Sequence, residues 1–142
     1  MTAKEYLLQY KVLAVRIENA ERDIDEIREE RNSISIVLDG MPRGSSISDK
    51  TAKLAVLLAD MESELLDLRT EAWLKKMEII RTIDKLSNPA EVKLLHLRYL
   101  DNYTWEKIAV TLNYTYQWVA GPLHGQALKS IEKILEVEND KQ

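Results

Sequence analysis

Apolar residues recur along the first 34 positions at alternating steps of four and three: Tyr6, Tyr10, Leu13, Ile17, Ala20, Ile24, Ile27 and Ile34, with Arg31 filling one slot. This is a heptad seam and predicts one long helix. The positions between are charged, as in "ENAERDIDEIREER". Such residues keep a long helix solvated and supply i,i+4 pairs of about 0.2–0.5 kcal/mol each. A second seam follows in Leu54, Leu58, Met61, Leu65, Leu68, Ala72 and Ile79, interrupted by Lys75. From Trp73 the apolar set widens to take in Leu74, Met77, Ile80, Ile83 and Leu86. A helix apolar on two faces is expected to be covered on two sides. This is where a coiled coil would meet a C-terminal domain.

Between the seams, "SISIVLDGMPRGSSISD" at 33–49 carries Gly40, Pro42, Gly44 and several serines. It reads as a loop centred on about 35–48, with Ser48 or Asp49 capping the second helix. Such a connection permits a hairpin within one chain or pairing between chains. At 1.5 Å per residue each helix is on the order of 45–55 Å long. Two such helices would expose much of their seams, so self-association, as a homodimer through these helices, is expected. A docking surface for another protein's helix is the sharper alternative.

The pattern changes after residue 86. Asn88-Pro89-Ala90-Glu91 is a helix start: an N-cap, a first-turn proline and a capping-box acid. The helix runs through "EVKLLHLRYLD", with Val92, Leu95, Tyr99 and Leu94 or Leu100 facing inward. After a turn at Asp101-Asn102-Tyr103, Thr104 caps "WEKIAVTL", with Glu106 in its first turn. Asn113-Tyr114-Thr115 is a second turn, because Asn tolerates the left-handed conformation. Thr115 caps the next helix. Two short helices joined by a turn of about three residues make a helix-turn-helix. Ile108, Leu112 and Val119 supply a minimal core, and the small Ala109 permits close crossing.

The expected architecture is therefore all-α: residues 1–86 as two long coiled-coil-forming helices, and 87–142 as a helix-turn-helix domain with a C-terminal helix. Composition agrees, with Gly 4, Pro 3 and 45% hydrophobic residues among 142. Cys is 0, which removes disulfides, thiolate metal sites and cysteine nucleophiles. No apolar run approaches the ~18–20 residues that cross a bilayer, and "MTAKEYLLQYK" lacks a signal-peptide pattern. A cytoplasmic location is expected. His96 and His124 have no surrounding carboxylate pattern, so no metal site or cofactor is expected. No phosphate-cradling loop or Ser-His-Asp set is present, and an enzyme reading has no residues to rest on.

The run "NPAEVKLLHLRYLDNYTWEKIAVTLNYTYQWV", followed by "ALKSI", resembles region 4 of the sigma-70 family. More closely, the chain is similar to sigma-like transcriptional regulators of phages and prophages of Gram-positive bacteria, of the autolysin-regulator or late-gene type. "MPRG" at 41–44 and Ser48-Asp49 resemble a further element of those regulators. The resemblance implies a regulator that contacts double-stranded promoter DNA, with the long helices dimerising it or touching host RNA polymerase. It places the helix after Thr115 in the major groove. The candidate DNA-contacting residues are Thr115, Tyr116, Gln117, Trp118, Lys107, His124 and Lys129. Gln reads adenine bidentately, and aromatic rings pack on sugar or thymine methyl.

Two departures stand out. Relatives tend to place two residues between Val and the next Leu or Ile, whereas Ala120, Gly121 and Pro122 separate Val119 from Leu123. An extra residue rotates every later helical position by about 100°. Pro122 in an unbroken helix costs about 3 kcal/mol and pushes Gly121 out of helical geometry. A break is therefore predicted: a helix of under two turns, a bend, then a longer helix from Pro122. Secondly, residues 115–123 carry no charge. Residues 89–135 carry five Lys or Arg (93, 98, 107, 129, 133) against four acids (91, 101, 106, 132), a net of +1 and a weak electrostatic footprint. This keeps open an alternative from another class: an assembly or packaging adaptor, small-terminase-like, or a protein-interaction module whose helix-turn-helix no longer binds DNA tightly.

Overall fold

The computed structural model describes residues 1–38 and 45–141. Among them every regular element is helical: α1 Ala3–Leu38, α2 Ser45–Ile83, α3 Pro89–Leu95, α4 Trp105–Leu112, α5 Tyr116–Trp118 and α6 His124–Asp140. Wider π turns at His96–Leu100 and Val119–Leu123 extend α3 at its C-terminal end and join α5 to α6. The all-α class expected from composition and period is the observed one.

The two long helices reach further than the serine-rich interval suggested. Residues 35–38 end α1, and Ser48 and Asp49 stand inside α2 rather than capping it. Neither 33–38 nor 45–49 contains Gly or Pro. Ser, Ile and Val lose only about 0.7 kcal/mol or less per residue against Ala in a helix, so composition alone does not stop it. Residues 39–44, which hold the "MPRG" element, lie outside the described residues.

The chain divides into two compact units, Leu13–Glu71 and Met1–Val12 with Ala72–Gln142. This differs from a boundary at residue 87. The start of α1 and the end of α2 belong with the C-terminal helices because Ala3, Tyr6, Leu7, Ile79, Ile83 and Leu86 share one core with Leu94, Ile108, Val119 and Ile131.

In the Leu13–Glu71 unit the two seams face each other within a single chain. Ile24, Leu58 and Leu65 are its buried centre, flanked by Ile17, Ala20, Ile27 and Met61. Arg28 pairs with Glu62 and Arg69 with Glu21, each at 2.8 Å, so α1 and α2 run antiparallel here. The seams thus meet within the chain, with Ile24, Leu58 and Leu65 buried between them.

In the other unit, α1 opens on a reciprocal cap. Glu5 N–H donates to Thr2 Oγ1 at 3.2 Å, and Thr2 N–H donates to Glu5 Oε2 at 3.0 Å. Tyr6 then buries its ring, and its hydroxyl lies 2.9 Å from Thr82 Oγ1 and 3.0 Å from Glu78 Oε2. Burial first, with Glu78 adding, pushes the Tyr6 phenol up to about 12. The two-sided cover expected from Trp73 onward holds for Ile83 and Leu86 but not at its start: Trp73 is 63% and Leu74 65% exposed. Ala72, Ile79 and Ile83 define the buried face, and the next two positions after Ala72 turn about 100° and 200° away from it. The Lys76 ammonium lies 5.7 Å from the centre of the Trp73 ring.

Candidate nucleic-acid interface

Local chemistry sets each helix of the C-terminal segment. Asn88 accepts from Ala90 N–H at 3.0 Å through its side chain, and Pro89 occupies the first turn of α3. Thr104 accepts from Lys107 N–H at 3.2 Å and starts α4. Asn113 ends α4 in the left-handed region, with φ 62 and ψ 41. Thr115 accepts from Trp118 N–H at 3.2 Å and starts α5. Ile108, Ala109 and Val119 are buried together, with Leu112 packed at their edge. The preceding turn has its own lock. Asn102 takes φ 59, and Tyr103 N–H donates to Leu97 carbonyl at 2.9 Å.

The predicted break at Gly121-Pro122 does not occur. Trp118, Val119, Leu123 and His124 all keep right-handed helical dihedrals, and α5 passes into α6 through the π turn. The turn answers both difficulties that motivated a break. A π turn bonds five residues back and accommodates one extra residue, so the donor Pro122 lacks belongs to a register not in use there. Gly121, having no Cβ, meets the proline ring without the clash that disfavours helical geometry before proline. The turn also restores the buried face. Val119, Leu123, Ala127 and Ile131, at steps of four, are all buried. Three such steps in an ideal α-helix drift about 120° around the axis, and the wider turn takes back most of that drift.

The candidate residues fall into three groups. Thr115 is engaged as the cap. Tyr116, Gln117 and Trp118 form the exposed first turn after it, Tyr116 at 45% and Trp118 at 39%. Val110 on α4 and Tyr114 in the preceding turn are 82% and 47% exposed, and residues 113–118 carry no charge. Lys107 is exposed on α4, with its ammonium 4.1 Å from the centre of the Tyr103 ring. Lys129 is exposed on α6, about three helical turns beyond Trp118.

His124 stands apart from the exposed residues. It is half-buried, its Nε2 lies 2.7 Å from the Tyr99 hydroxyl, and its ring centre is 4.7 Å from that of Trp105. Burial first, then the charges of Lys4 and Arg98, lower its pKa from 6.5. The hydrogen bond with Tyr99 and the packing against Trp105 hold His124 away from base reading.

Sequence reasoning missed Arg98 as a surface feature. Its Nη1 donates to Tyr103 carbonyl at 3.1 Å, and its guanidinium centre lies 4.4 Å from that of the Trp105 ring. Arg98 is in the quoted "LRY" triplet, but its partners come from the next turn and helix, beyond the reach of periodicity.

Charge divides unevenly between the units. Met1–Val12 with Ala72–Gln142 carries 12 Lys and Arg against 10 Asp and Glu, a net of +2. Leu13–Glu71 carries 8 against 14, a net of −6. No helix among the described residues is long and apolar enough to cross a membrane. No protein-family model, curated protein or solved structure matches the chain.

Proposed function

We propose that the chain is a phage-type transcriptional regulator whose α4–turn–α5 segment contacts promoter DNA. Its resemblance to sigma-70 region 4 over residues 88–131 motivates the reading. The single observation that supports it most is the exposed turn Tyr116-Gln117-Trp118. Thr115 holds it open at a helix start while Val119, next in the chain, is fully buried. A side chain needs this combination of outward aim and rigid base to reach a groove. Gln117 is the base-reading candidate, flanked by two rings for sugar and methyl contacts. Lys107 and Lys129 are assigned to phosphates. The acidic Leu13–Glu71 unit would be repelled by DNA, so its role is contact with another protein, RNA polymerase or a second copy of this chain. Val15, Val56, Leu57 and Leu66 are exposed apolar residues of that unit available for the contact.

A gel shift with intergenic DNA flanking the chain's own gene tests the proposal. Salt-sensitive retardation is expected, and its absence with every fragment sinks the reading.

A second reading is favoured by the absence of charge along residues 115–123, where Tyr116 and Trp118 are exposed. Such a patch suits a protein partner, as in an assembly or packaging adaptor. A ring-sized oligomer in light scattering would favour it. A monomer or dimer argues for the regulator.

A further inference from the structure

One concave site has no part in the base-reading turn. A cavity of about 110 Å³ lies beside the start of α1, where Leu8 and Trp105 line it together with Lys4, Lys11, Arg98, Tyr99 and His124. Its charged lining residues are all cationic; no Asp or Glu lines it. None of the three cations forms an ion pair among the described residues, although the chain as a whole carries −4. Three uncompensated cations converging on one hollow repel one another and are stabilised by an anion.

The geometry favours an oxyanion over a diffuse counterion cloud. Arg98 is pinned by its bond to Tyr103 carbonyl and by the Trp105 ring, so the rest of its donor fork is held in place. Lys4 and Lys11 are two turns apart on one face of α1, and both are exposed, so their ammoniums are free to swing inward. Lys4 also occupies the first turn of α1, where the helix dipole disfavours a cation and favours an anion. The Tyr99 hydroxyl and His124 imidazole complete a polar wall.

We infer that this cavity is a binding site for a phosphate group, held by Lys4, Lys11 and Arg98. The site is separate from the base-reading turn, and its chemistry is the same whether the phosphate is free or part of a DNA backbone. His124 is the built-in reporter. Lys4 and Arg98, the two cations that lower its pKa, are ones a phosphate would offset.

The test is an NMR titration of the His124 ring in the full chain, with inorganic phosphate against sodium chloride at matched ionic strength. A saturable rise of about half a pH unit or more in the His124 midpoint, specific to phosphate, is expected. The double variant Lys4→Gln/Lys11→Gln, two exposed positions, is expected to keep the melting temperature and abolish the rise. An equal response to chloride, no saturation, or an unchanged response in the double variant overturns the site.

A second arm adds a short duplex of arbitrary sequence. If the duplex reproduces the rise, and the double variant lowers the salt slope of binding by about one per lysine, the site takes backbone phosphate. If only inorganic phosphate acts, it takes the free anion. Duplex binding that leaves His124 and the slope unchanged overturns the site for DNA while leaving the base-reading proposal intact.

Discussion

The two units reach stability by different routes. Leu13–Glu71 is regular: two helices, one heptad seam each, and a buried centre of Ile24, Leu58 and Leu65. Its cross-helix ion pairs are about half exposed, and such pairs contribute between 0 and about 1 kcal/mol each. The other unit is irregular, with short helices, two π turns and two left-handed asparagines. Yet it owns the larger core, from Ala3 and Leu7 through Ile79 and Leu95 to Ile131. Regular helices expose a repetitive surface and suit a spacer or docking rod. Irregular ones, of which α3, α4 and α5 are each fixed by a side-chain cap, place individual side chains. The candidate chemistry lies in the second kind.

This difference should appear first in the response to cavities. Ile131→Ala removes a fully buried side chain from the larger core and is expected to cost about 4 kcal/mol. Leu58→Ala in the hairpin should cost about 2 kcal/mol, because a thin two-helix layer collapses more readily around a void. Urea melts of both variants give the comparison. Equal losses would mean that the hairpin seam is packed as tightly as the larger core.

Titration comes next, with two shifted groups of opposite sign, both in the irregular unit. The Tyr6 pKa is raised to about 12 in the folded chain against 10.0 unfolded, so folding favours the neutral phenol. That stabilisation is fully present below pH 10 and is lost between 10 and about 12. His124 has the opposite sign. Its pKa is lowered from 6.5, so its contribution is full above that value and declines as pH falls through the folded midpoint. Circular dichroism melts across pH are expected to show both flanks, with Tyr6→Phe flattening the alkaline one. An alkaline flank unchanged in Tyr6→Phe would remove Tyr6 as its source.

Caps come third. Thr115→Ala should cost about 1 kcal/mol and loosen the Tyr116–Trp118 turn, weakening any DNA binding more than it lowers stability. A DNA affinity unaffected by this loosening would place the contact elsewhere.

The smallest expected effect is a gain. Gly125 lies in α6, and a Cβ there would meet nothing within 4 Å, so Gly125→Ala should stabilise by about 0.5–1 kcal/mol. Gly121→Ala has the same open space but stands before Pro122, and should gain less or lose. Thermal melts of the pair decide whether the π turn depends on that glycine.

Local features were the legible ones. Asn88, Thr104 and Thr115 each accept from an amide two or three positions on, Asn113 turns the chain by its own left-handed backbone, and all four occur where the pattern placed them. The seams were legible because a heptad repeat reports one face directly. The reciprocal Thr2–Glu5 cap has a readable signature in "TAKE", although no long apolar run announces it. The π turn was not legible, because proline's penalty is defined for an α register and the chain changes register instead. Exposure of Trp73 and Leu74 was not legible either, because apolar width does not say how far the covering core extends. The Lys4–Arg98–His124 cavity joins residues about 90 to 120 positions apart, which no sequence period connects.

Whether the exposed turn after Thr115 reads duplex DNA is tested most directly by fluorescence anisotropy. The full chain and its Gln117→Ala variant are titrated against labelled promoter-region duplex at several salt concentrations. Binding is predicted to weaken steeply with salt, and Gln117→Ala to lose about 1–3 kcal/mol of preference for its site while keeping nonspecific affinity. Salt-sensitive binding with unchanged preference in Gln117→Ala, or no binding to any duplex, would contradict a base-reading role for this turn.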